Sequence, residues 1–210
     1  MLNLRELFNE GKEGKNLHLT HIEDFVLDGG VTGTRNAIDF LLSLRYMLNG
    51  HSDSRTNITT KCDGAPAIIC GINPENNRFF VGTKSVFSVT GKLNYTNADI
   101  EKNHPNEGLA SKLRIALRYL PKLGIEGILQ GDMMFSEGDI TTKVLDDEKM
   151  IIFQPNTIVY AVPYKSDLAK SMLAAKIGIV FHTAYSGETM ADMQASFNID
   201  IGRLTPTKDV

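Results

Sequence analysis

Residues 61–64 read Lys-Cys-Asp-Gly and stand directly ahead of the apolar run "APAIICG". A lysine in this setting is either an ordinary strand-end cation or a nucleophile. The second role requires a neutral amine, so its pKa must fall from about 10.4 toward neutrality. Burial or a neighbouring cation lowers it. Gly64 would let the backbone turn tightly or approach a ligand closely. Three further residues extend the chemistry. Lys84 lies in "TKS", residues 83–85, after a second strand-like segment. Asp132 sits inside the apolar "ILQGDMMF", where a carboxylate must face a cleft or find a partner. Tyr160 lies in "TIVYAVP", again strand-like.

The elements that must position these residues follow from periodicity and punctuation. Residues 2–10 and roughly 34–49 have helical spacing, with "GGVTG" as a turn and Thr34 as the cap of the second helix. Residues 57–88 read as a hairpin or meander around "NPENN". Residues 94–104 read as polar loop, and Asn106 to Leu120 as a helix closed by Pro121 and Gly124. Strands follow at "GILQGDMMF" and on both sides of Pro155. A helix capped by Ser166 is stopped by Gly178; then come the strand "IVFHTAYSG" and a short last helix in "ETMADMQASF". Strands and helices mix without a βαβ rhythm, which predicts an α+β fold around an antiparallel sheet. The expected division is a helical segment over 1–56, packed on the core, and a domain over 57–210.

The chain has 210 residues, a formal net charge of −3 and 22% charged residues, so no global basic field directs it to nucleic acid. No apolar stretch is long enough to span a bilayer, and the N-terminus lacks a signal-peptide core. Cys62 and Cys70 are read as free, buried thiols in a reducing compartment, so the expected location is cytoplasmic. The ending "RLTPTKDV" has no stop signal and suggests a chain that continues.

The ordered series "KCDG", "TKS", "LQGDMMF", "TIVYAVP" resembles the adenylation domain of the covalent nucleotidyltransferases: ATP-dependent DNA and RNA ligases and mRNA capping enzymes. "HLTHIED" and "FQPNTIVYAVP" have the look of phage-encoded ligase-like proteins. The resemblance implies an antiparallel nucleotidyltransferase (ATP-grasp-like ligase) sheet with flanking helices. It implies Lys61 as the nucleophile that forms a lysyl-AMP adduct. Asp63, Gly64, Lys84 and Tyr160 would bind the nucleotide, and Asp132 would hold the metal. The implied cofactors are ATP and Mg²⁺ or Mn²⁺; the implied partner is a nucleic-acid 5′-phosphate end, RNA before DNA. A hard cation and carboxylate suit the charge that develops as pyrophosphate leaves.

The pattern also departs from that family. Its fourth motif, E-G-[ILV]-V-[IVF]-K, matches "IGIVFH" only with Ile177 for the glutamate and His182 for the lysine, and the fifth, K-x-K, has no match. A nucleotide- or nucleic-acid-binding module of the same fold without full catalysis is therefore the alternative expectation. Nucleotidyl transfer to protein is a third. His18, His21, Glu23 and Asp24 are read as capping or hydrogen-bonding residues rather than a metal site. Lys112, Arg114, Arg118 and Lys122 are read as a solvated basic helix face.

Overall fold

The computed structural model describes residues 21–50, 62–197 and 199–210. The helix expected over 2–10, the stretch 57–61 with Lys61, and His18 lie outside them. The chain divides into two units, residues 1–61 and 62–210.

The first unit holds helix α1 (Ile22–Leu48). It opens at His21, whose backbone N–H donates to Asp24 Oδ2 at 2.9 Å, the hydrogen-bonding role expected of the "HIED" stretch. Gly30 takes φ 53° and ψ −136°, angles that only glycine adopts readily, and kinks α1 there. The expected "GGVTG" turn thus shrinks to one residue. Thr34 is no cap, because the helix is already under way; its hydroxyl donates back to the Gly30 carbonyl at 2.8 Å.

The second unit is α+β, with antiparallel sheets. Strands β1 (Ala67–Asn73), β2 (Arg78–Gly82), β3 (Ile128–Ser136), β7 (Ile177–Ser186) and β8 (Gln194–Ser196) form one sheet in the order β2-β1-β3-β7-β8. Strands β4 (Thr141–Leu145), β5 (Glu148–Phe153) and β6 (Tyr160–Pro163) form a second. β3 is buried at every position, although Gln130, Asp132 and Ser136 break its apolar run. One face of the large sheet packs Ile68, Cys70, Leu129, Met133 and Ile177 against Leu113, Ala116 and Leu120, from helix α3 (Glu107–Tyr119) and the turn after it. Asn106 caps α3 by accepting from Leu109 N–H at 3.1 Å. A second cluster joins Met134 and Phe135 of β3 to Ile151, Phe153 and helix α4 (Asp167–Ala174) through Ala169 and Met172.

Three elements differ from the sequence reading. Residues 97–103 form helix α2 rather than loop: Thr96 and Asp99 make a reciprocal capping box, and only Ile100 is buried, so no apolar period announces the helix. "ETMADMQASF" contains no helix. Asp192 instead accepts from Thr189 N–H and Oγ1 in a turn, and Gln194–Ser196 pair with β7. Helix α4 ends at Ala174, before Gly178, because β7 already starts at Ile177. Cys70 is fully buried, and burial pushes its thiol pKa up; Cys62 is only half-buried.

Two polar networks anchor the loops. Asp139 accepts from Lys112 Nζ (2.7 Å), Ser136 Oγ (2.7 Å) and Ser136 N–H (2.8 Å), tying α3 to the turn after β3. Partial burial pulls this carboxyl upward, but the Lys112 and Ser136 hydrogen bonds win and hold it below the usual carboxylate range. His104, 8% exposed, meets Asn94 Nδ2 at 3.2 Å, and Asn94 in turn donates to the Val81 carbonyl at 2.9 Å. Burial first, and then the Lys92 charge, lower the His104 pKa. The unfolded chain therefore takes up this proton first. The stabilisation is full above about pH 6.5 and drains away as pH falls through the window below it. Thermal melts from pH 7.5 down to 5 should decline by a few degrees, and His104→Asn should flatten that decline. An unchanged slope in the variant would refute the assignment.

Candidate functional site

The loop after Lys61 lies on the central strand. Beyond the start of β1, the Ala65 N–H donates to the Met133 carbonyl at 3.0 Å, and the Met133 N–H to the Pro66 carbonyl at 3.1 Å. Gly64 is thereby pressed onto β3. A Cβ at this position would stand 2.6 Å from the Met133 carbonyl oxygen, 2.9 Å from Met134 Sδ and 3.0 Å from Asp132 Cβ. Only glycine fits so close to a strand backbone. Gly64 and Asp132, 68 positions apart in the chain, are therefore in direct van der Waals reach.

Tyr160 of β6 holds the same loop from the other side. Its hydroxyl accepts from the Asp63 N–H at 2.8 Å and donates to the Asp63 carbonyl at 3.1 Å. Its ring stacks on Phe153 with centroids 5.2 Å apart and planes inclined by 10°. The Asp63 carboxylate accepts from Asn156 Nδ2 at 2.9 Å. The loop is thus seated between the two sheets, with the Asp63 N–H and carbonyl, the Ala65 N–H and the Pro66 carbonyl paired.

Asp132 pairs in register with Ala67 of β1 and Val180 of β7. Leu129 and Met133 face the α3 core, so strand alternation turns Gln130 and Asp132 to the opposite face. On β7, Thr183 pairs with Gln130 while Phe181 pairs with Gly131. His182 is consequently the extra residue of a β-bulge, a device that re-aims a side chain. Its Nε2 lies 3.5 Å from Asp132 Oδ1, and its Nδ1 lies 2.8 Å from Thr183 Oγ1. Further along this face, the buried Tyr185 hydroxyl donates to Gln130 Oε1 at 2.6 Å. Burial pushes the Tyr185 pKa up to about 12, so the phenol stays a neutral donor.

Lys84 is exposed and opens a short 3-10 turn, Lys84–Phe87, capped by Thr83. Among the described residues it forms no ion pair. The turn is seated on the site's face through Phe87, whose ring lies 4.7 Å from that of Tyr185. Asp63, Gly64, Asp132 and Tyr160 thus come together, whereas the exposed Lys84 lies on the turn that Phe87 seats on Tyr185 and makes no recorded contact with them. Asn156, Gln130 and Thr183 carried no signal in the sequence: an amide in a turn and two polar residues in strands are ordinary.

The basic helix face is largely occupied. Lys112 pairs with Asp139, Arg114 with Glu107, and Lys122 with Asp209, while Arg118 lies over the Tyr119 ring. Among the described residues no three His, Cys, Asp or Glu side chains gather as a metal cluster. No helix among them is long and apolar enough to cross a membrane.

Fold and site define an α+β protein in which the Asp63-Gly64 loop lies on the central strand of an antiparallel sheet. The chain belongs to the family described as "Family of unknown function (DUF6267)", whose model matches residues 16–210. No curated protein and no solved structure matches it.

Proposed function

We propose that the protein is an ATP-dependent nucleotidyltransferase of the polynucleotide-ligase kind. The observation that carries this reading is the seating of Asp63 and Gly64 on Asp132, with Tyr160 closing over the loop. The motifs that resemble the ligases are dispersed along the chain, and the fold gathers four of their residues. In this reading Lys61 Nζ attacks the α-phosphorus of ATP. The N–P bond forms, the bond to pyrophosphate breaks, and the amine proton passes to solvent. AMP then moves to a nucleic-acid 5′-phosphate, with RNA favoured over DNA. Lys84 would neutralise phosphate charge, and Asp132 would hold Mg²⁺ or Mn²⁺. The location in the cytoplasm, that of a host cell if the gene is a phage's, belongs to the same proposal.

A second reading has its own observation. Ile177, in the place of the family's metal-binding glutamate, is fully buried in the core. A nucleotide- or nucleic-acid-binding module that lost full catalysis would look the same there.

Incubation with α-labelled ATP and divalent metal, followed by a denaturing gel, separates the two. The enzyme reading expects a labelled band at the mass of the chain, reduced at least ~100-fold in Lys61→Ala. No band with any metal, with either ATP or GTP, leaves the binding module.

A further inference from the structure

His182 stands beside Asp132 in an arrangement of charge and geometry that the proposed reaction leaves unused. Asp132 is 7% exposed. A carboxylate that buried needs a partner. His182 Nε2 stands 3.5 Å from its Oδ1. That is longer than a normal hydrogen bond, which lies near 2.7–3.2 Å. It is, however, about the separation of two ligands on one cation, each bonded at about 2.1 Å. The side chains are 11% and 23% exposed, so solvent reaches the gap from one side.

The surroundings of the imidazole suit a ligand. Thr183 Oγ1, at 2.8 Å from Nδ1, can accept its proton and leave Nε2 bare toward Asp132. The bulge that aims His182 is built into the central strand pair rather than a loop, so the two ligands are held rigidly. One nitrogen and one oxygen ligand do not make a hard-ion site. Mg²⁺ takes oxygen ligands, whereas imidazole favours first-row transition ions in the rising order Mn²⁺, Fe²⁺, Co²⁺, Ni²⁺.

We infer that Asp132 and His182 together form a two-ligand site for a first-row transition dication, selected over Mg²⁺ by the His182 imidazole. Water fills the remaining positions. The inference deepens the proposed function and rests on it for the use of Asp132 as a ligand. Its test uses neither nucleotide nor the Lys61 adduct, so either can fail alone.

The full chain, without nucleotide, is titrated calorimetrically with Co²⁺ and with Mg²⁺. Broadening of the His182 ring resonances by substoichiometric Mn²⁺ locates the ion. Wild type should bind Co²⁺ at least about tenfold more tightly than Mg²⁺. His182→Gln should remove that preference and leave Mg²⁺ affinity within about twofold, while Asp132→Asn should weaken both ions about tenfold or more. Equal Co²⁺ and Mg²⁺ affinity in wild type would overturn the inference. So would a preference that survives in His182→Gln, or Mn²⁺ broadening that spares His182. In those cases the imidazole is a hydrogen-bond neighbour of Asp132 and nothing more. The wild-type measurements decide even if a variant fails to fold.

Discussion

Gly64→Ala is expected to cost about 1–3 kcal/mol of stability and to lower any adduct formation at Lys61 about 100-fold. The added methyl would sit 2.6 Å from the Met133 carbonyl oxygen and 3.0 Å from Asp132 Cβ. Neither neighbour can yield. Met133 is fully buried in the central strand, and its carbonyl already accepts the Ala65 N–H at 3.0 Å. The loop must therefore lift. Lifting breaks that hydrogen bond and pulls Asp63 against the Tyr160 hydroxyl and Asn156. In the proposed reaction the lifted loop also shifts the stretch that directly follows Lys61, and small misplacements are costly for a nucleophile. Gly29→Ala, where a Cβ meets nothing within 4 Å, is the control and should cost nothing. Urea melts give the stability difference, and the labelled-ATP gel gives the activity. An unchanged midpoint together with unchanged labelling would mean that the loop does not rest on β3 in solution.

How far the sequence disclosed this site differs from residue to residue. Asp132 was conspicuous because a charge inside an apolar strand must be explained, and the explanation lay on the sheet face opposite the α3 core. Gly64 was conspicuous because a glycine beside a functional triplet signals close backbone approach. His182 stood out only as the residue in the place of the ligase motif's lysine; its approach to Asp132 was not legible, because the extra residue of a bulge has no signature in hydrophobic alternation. "IGIVFH" reads as a strand whether or not it bulges, and the bulge exists only relative to the register with β3. Tyr160 stood out as an aromatic in a strand, but its clamp on the Asp63 backbone depends on a partner 97 positions away, and its stack on Phe153 on the pairing of β5 with β6. The fold divides likewise. α3 and β3 were legible from apolar periodicity, whereas α2 buries a single residue and "ETMADMQASF" has helical spacing that strand pairing and the Asp192 turn override.

The two departures of "IGIVFH" from the ligase pattern predict opposite outcomes when they are reversed. Ile177→Glu, which writes in the family's glutamate, should destabilise the second unit by about 3–5 kcal/mol. Ile177 is fully buried among Leu113, Leu120 and Met133, and its N–H is spent on the Asp209 carbonyl. Its buried neighbours in that cluster are apolar, so the new carboxylate must be buried unpaired or take up a proton, and either course loses stability. Ile177→Val, which only trims a methyl group, should cost about 1 kcal/mol and calibrates the packing. His182→Lys, which writes in the family's lysine, should cost less than about 1 kcal/mol. That side chain is partly exposed, and an ammonium there meets Asp132. Denaturant midpoints of the three variants, measured at neutral pH, make the comparison. If Ile177→Glu were tolerated as well as His182→Lys, the register of β7 against β3 would be wrong, and with it the placement of His182. If the costs separate as expected, residue 177 belongs to the core and cannot supply a metal ligand. Any cation at Asp132 would then draw a second protein ligand from elsewhere, and His182 Nε2, at 3.5 Å from Asp132 Oδ1, is placed to supply it.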